Sequence, residues 1–127
     1  MAIRTELSLR LQNSPGSLAR VCRLLGDQRI NTIALLLESG GTLRVVVDNH
    51  VHAAALLREQ HYEVEERDVL YTVMPNQPGS LARAVRLVAE AGVNMDYAYA
   101  SGVEGDPMVG VVIGVPDPMR ASAVAGF

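Results

Sequence analysis

Asn13-Ser14-Pro15-Gly16-Ser17-Leu18-Ala19 is written a second time, nearly unchanged, as Asn76-Gln77-Pro78-Gly79-Ser80-Leu81-Ala82. Each copy stands between a strand pattern and a helix pattern, and an offset of 63 residues (from 13 to 76) lays the first half of the chain over the second. A long fixed period of this kind divides the 127 residues into two similar units. Domains of about sixty residues bury only about 60% of their unfolded surface. The halves are therefore expected to pack together, and the chain to dimerise.

Before the first copy, Leu7, Leu9 and Leu11 alternate with Ser8, Arg10 and Gln12, the period-2 signature of a strand with one buried face over Glu6 to Gln12. After it, Leu18, Val21, Leu24 and Leu25 recur at helical spacing, with Arg20, Arg23 and Asp27 on the other side. Pro15 suits the first turn of that helix, where a missing N–H costs nothing. The helix gives way near Gly26. Ile30 to Glu38 reads as an apolar strand, Ser39-Gly40-Gly41 as a hairpin turn and Leu43 to Val47 as its antiparallel partner. Asp48 is a suitable N-cap for a helix carrying Val51, Ala54, Leu56 and Leu57, and Tyr62 to Asp68 closes the unit as a fourth strand. Strand, helix, strand, strand, helix, strand is the ferredoxin-like plan, an α+β fold with helices on one face of an antiparallel sheet.

The second half repeats the order with a strand over Val69 to Met74, a helix over Gly79 to Ala91, and strands over Val93 to Ala100 and Met108 to Val115. Leu70, Tyr71, Val73 and Met74 leave little polar alternation, which places that strand inside a sheet shared by the halves. No linker intervenes, because Glu65-Glu66-Arg67-Asp68 leads straight into Val69. The expected division is residues 1–68 and 69–127, two ferredoxin-like βαββαβ units in tandem, rigidly coupled. Two departures from strict repetition stand out. The hairpin over Gly102 to Pro107 is longer than its counterpart and is a candidate mobile flap. Phe127 matches Tyr62, so the second unit lacks its last strand. The sheet edge left open is expected to be filled by a partner subunit or covered by the final helix.

Composition narrows the function. Hydrophobic residues make up 49% of the chain and charged residues 20%, which fits a globular domain and not a disordered one. Net charge is −3, the pI is about 5.5, arginine is the basic residue throughout, and no basic run or aromatic platform invites nucleic acid. No stretch approaches a membrane span or a signal peptide. The single cysteine, Cys22, excludes an internal disulfide and fits a reducing, cytoplasmic setting, with inert packing as its expected role.

The repeated turn carries the chemistry. Glycine directly before a helix lets a ligand approach the main chain, and the unpaired N–H groups and dipole of the helix start favour a carboxylate. Asn13 and Asn76 offer an acceptor and donors, which suits an amino group beside that carboxylate. The same residues make an ordinary turn and helix start, and the duplication alone leaves both readings open.

With Ile30-Asn31-Thr32-Ile33 after the first copy and Val93-Asn94-Met95 after the second, at matched spacing, the chain resembles the ACT domain signature twice over. It is similar to small stand-alone proteins built of two tandem ACT domains. The resemblance implies an amino acid held where domains pair side by side. It assigns binding to Asn13, Ser14, Gly16, Ser17 and Leu18 in the first half and to Asn76, Gln77, Gly79, Ser80 and Leu81 in the second, with Asn31 and Asn94 across the interface. It further implies a regulatory protein, homodimeric and cytoplasmic, that signals to a partner such as a metabolic enzyme through altered packing. No such enzyme is fused in this sequence, and no cofactor is expected. The alternative is a ligand-free adaptor whose turns only start helices.

The remaining constellations favour plainer readings. His50 and His52 are two apart at a helix start and point to different sides, and with His61 they read as solvated residues rather than a metal site. Glu63, Glu65, Glu66 and Asp68 read as a charged solvent face on an edge strand. Ser17 and Ser80 lack a Gly-x-Ser-x-Gly setting and a histidine base, so catalysis is not expected. Tyr97 and Tyr99, on one side of their strand, mark either a pocket that differs between the halves or packing on the sheet.

Overall fold

In the computed structural model, which describes residues 1–125, the chain divides into two units. The first runs from Thr5 to Arg67, and the second joins Met1–Arg4 to the chain from Asp68 onward. The elements in order are β1 (Ala2–Arg10), α1 (Ser17–Asp27), β2 (Thr32–Leu37), β3 (Thr42–Val47), α2 (His50–Glu59), β4 (Glu65–Pro75), α3 (Ser80–Glu90), β5 (Tyr97–Ser101), β6 (Met108–Gly114) and α4 (Pro118–Ala125).

In the first unit the strand order is β2-β3-β1-β4. The leucine alternation of β1 sets its register, with Leu7 opposite Val45 and Leu9 opposite Leu43. That face buries Leu7, Leu9, Leu11, Leu43, Val45 and Val47 against Val21 and Leu25 of α1 and Ala53, Ala54 and Leu57 of α2. The opposite face carries a buried carboxylate, Glu6, whose Oε1 lies 3.4 Å from Arg44 Nη1, while Arg44 Nε lies 3.3 Å from Glu38 Oε2. A buried charge needs such a counterion.

The second unit has the mirrored order β1-β4-β6-β5. Leu70, Met74, Val111, Ile113 and Val115 pack against Ala84 and Val88 of α3 and Ala121 of α4. The place that β4 takes in the first unit is taken here by the start of β1. Met1 and Ile3 pack against this core, and the Arg4 guanidinium sits 5.1 Å from the centre of the Tyr71 ring. Burial also lowers the pKa of the Met1 α-amino group.

Several expectations are corrected. The open edge of the second unit is filled neither by a partner subunit nor by the final helix, but by the chain's own Met1–Arg4; the matched Phe127 lies outside the described residues. The strands expected at Tyr62–Asp68 and Val69–Met74 are one strand, β4. Pro15 precedes the cap of α1, since Gly16 is the N-cap. The N-cap of α2 is Asn49, whose side chain accepts from the His52 N–H, because Asp48 is already engaged with the Asn31 N–H. Cys22 is exposed, as the buried stripe of α1 runs through Val21 and Leu25. Tyr97 and Tyr99 stack at 6.2 Å on the face away from the helices, with Tyr97 lying on Gly114, so they pack on the sheet.

Candidate functional site

The two copies of the turn adopt one backbone. Gly16 has φ 86° and Gly79 φ 88°, each is the N-cap of its helix, and neither helix has a side-chain cap. The internal hydrogen bonds match as well. Ser17 N–H donates to Ser14 O at 3.3 Å and Ser80 N–H to Gln77 O at 3.2 Å, while Arg20 N–H reaches Gly16 O and Arg83 N–H reaches Gly79 O. A left-handed residue at the cap needs glycine. Without a capping side chain, N–H groups of the first turn stay available.

In the first unit, Asn13, Ser14, Gly16, Ser17 and Leu18, all five of the residues expected there, line one groove of about 560 Å3. Its other wall is Leu37 and the β2–β3 hairpin, held in place where Leu11 N–H donates to Gly41 O at 2.8 Å. A second groove, about 670 Å3, opens on the other side of the same turn and brings in Arg10, Arg20, His61 and Glu63. Ser14 and Ser17 lie between the two, their hydroxyls 2.8 Å apart.

Asn31 is not brought to this turn. Its backbone exchanges hydrogen bonds with Asp48, at the Thr32–Val47 end of the hairpin, whereas the turn lies at the Leu37–Leu43 end. Six residues of strand separate the two ends, about 17 Å. Asn94 is displaced in the same sense, since Asp96 N–H bonds Gly114 O at the Tyr97 end of β5, far from the loop that Asn76 touches. In the second unit the recess beside the turn is about 170 Å3 and takes in Ser80 but not Asn76, Gln77, Gly79 or Leu81.

A sequence profile of the family described as an ACT domain pair matches residues 1–121. The chain belongs to the ACT domain pair family. The fold of this ACT domain pair is shared with protein BT0572 from Bacteroides thetaiotaomicron, at 28% identity and a TM-score of 0.87 over 98% of this chain and 87% of that one. It is shared too with the regulatory subunit of aspartate kinase from Thermus thermophilus, in its ligand-free form, at 18% identity and a TM-score of 0.71 over 98% and 92%. E. coli aspartokinase III, solved in complex with lysine and aspartate, matches at 17% identity and a TM-score of 0.58, over 99% of this chain and 32% of that one. No curated protein sequence matches the chain.

Sequence reasoning missed the hairpin wall and the arginines of this ACT domain pair. One signal was present: Arg20 recurs as Arg83 at the repeat offset. The hairpin needed the fold, because only antiparallel order returns residues 38–41 to the end where β1 finishes. Among the described residues, no helix is long and apolar enough to cross a membrane, and no three His, Cys, Asp or Glu gather as a metal site.

Proposed function

We propose that this ACT domain pair is a non-catalytic regulatory module that binds a free amino acid, or a similar small carboxylate, at the Asn13–Leu18 turn. The observation that carries the reading is the union, on one groove, of an uncapped helix start, a left-handed Gly16 and the Asn13 amide. The helix start suits the carboxylate, and Asn13 suits the amino group. The likeness to aspartate kinase regulatory subunits, one of whose relatives was solved with amino acids bound, supports the same class of ligand. Two copies of the chain complete the site. Leu35 and Leu37 are exposed on the edge strand β2, Leu37 at the groove itself, and a second copy lying antiparallel along that edge supplies its Asn31. Ligand favours the paired arrangement, and a partner, such as a metabolic enzyme of the cytoplasm, reads that change.

The test is thermal unfolding with each of the twenty amino acids at millimolar concentration. A ligand at 100 times its dissociation constant adds about 2.7 kcal/mol, so one chemical class raises the melting temperature by several degrees. Asn13→Ala removes that rise with the fold intact. No rise with any amino acid would move the protein to the adaptor class.

A further inference from the structure

The two turns differ in how their opening asparagine is used. In the first unit the short hairpin is tied to Leu11, and the Asn13 side chain, two residues further on, lines the groove with no hydrogen bond among the described residues. In the second unit the longer loop over residues 102–107 reaches past Met74, the counterpart of Leu11, to Asn76, the counterpart of Asn13. Asn76 N–H donates to Pro107 O at 2.9 Å, and Asn76 Nδ2 donates to Asp106 O at 3.0 Å and to Val103 O at 3.4 Å. A primary amide has two N–H donors, and both are spent on the loop. Asp106 N–H donating to Val103 O closes the loop on itself. The expected flap is therefore pinned to the turn.

We propose that the second turn is closed to ligand by its own hairpin, so that each chain takes one amino-acid-class carboxylate, at the Asn13 turn, and Asn76 acts as a positioning residue for the loop. The class of ligand rests on the function proposed above; the closure stands on the hydrogen bonds alone. Held through both of its side-chain N–H groups, the Asn76 amide must give up its two bonds to the loop before it can turn its oxygen to a ligand's amino group as Asn13 can. The second recess, about 170 Å3 against about 560 Å3 for the first groove, does present Thr72, Ser80 and Arg83, but neither Asn76 nor Gly79 lines it.

Hydrogen–deuterium exchange on the full chain separates the two parts. The samples are wild type, Asn76→Ala, and Asn76→Asp, which keeps the size of the side chain but loses its donor, each alone and with millimolar L-amino acids from the standard twenty. Losing one or two modest hydrogen bonds speeds exchange over residues 102–107 by roughly three- to tenfold in both variants. Unchanged loop rates in both variants overturn the closure. An amino acid that slows exchange in wild type is expected to protect residues 12–18 and not 76–81; protection of 76–81 overturns the single site. Should no amino acid protect residues 12–18, the proposed function fails, while the closure is still decided by the loop rates.

Discussion

Gly16 and Gly79 show how far a single residue can be judged from sequence. Their role before a helix was legible from the repeat, and the structure adds that both sit near φ +87° with open space where a Cβ would go. Substitution there meets no neighbour, so its cost is backbone strain alone, about 1–2 kcal/mol. Gly16→Ala and Gly79→Ala are each expected to lower stability by about 1 kcal/mol, read as equal shifts of the urea midpoint. A much larger loss at either site would mean that something packs on the turn. Other residue-level assignments failed where two neighbours compete for one role. Asp48 and Asn49 both suit an N-cap, and nothing local to them reveals that Asp48 is occupied by Asn31, 17 residues earlier in the chain.

Among the elements, α1 and α3 are the same helix written twice, and they end in the same backbone turn on different residues. Arg29 and Gly92 stand at equivalent positions with φ 57° and 71°, the left-handed turn that stops each helix. Arg29 N–H donates to Gly26 O at 3.0 Å and Gly92 N–H to Ala89 O at 3.0 Å, so the caps are alike. Only the second copy has the residue that takes this conformation without strain. Arg29→Gly is expected to stabilise the protein by about 0.5–1 kcal/mol, visible as a higher melting temperature; a decrease would show that the arginine side chain holds something in place. The helices were legible because a duplicated 3.6-residue pattern is hard to mistake. β4 was not, because Glu66 and Asp68 fall on the face that carries Val64 before them and Leu70 and Met74 after, and two exposed acids there break the alternation that marks one strand. The pairing of β4 with β6 starts at Leu70, so the acidic stretch lies outside that register.

At the scale of the whole chain, the duplication is complete in its helices and incomplete in its strands, and the first four residues make up the difference. The sequence showed a strand missing from the second half but not its replacement, because Arg4 and Thr5 interrupt the apolar run and hide that Ile3 shares a face with Leu7. Ile3 packs against the second core, although it belongs to the first strand of the chain. A charge at position 3 should therefore injure the half of the protein more than sixty residues away in sequence. Ile3→Asp is expected to cost about 2–3 kcal/mol, the burial of one aliphatic side chain exchanged for a desolvated carboxylate. Hydrogen exchange should quicken over Leu70–Met74 and Val109–Ile113 while Leu43–Val47 keeps its protection. The opposite pattern, with loss confined to Leu43–Val47, would assign the start of β1 to the first unit and reopen the edge of the second. If the expected pattern holds, the two copies of the turn belong to units of the same four-stranded design, one built from consecutive chain and one completed by a borrowed strand. The contrast between Asn13 and Asn76 is then a property of their hairpins, not of an unfinished fold.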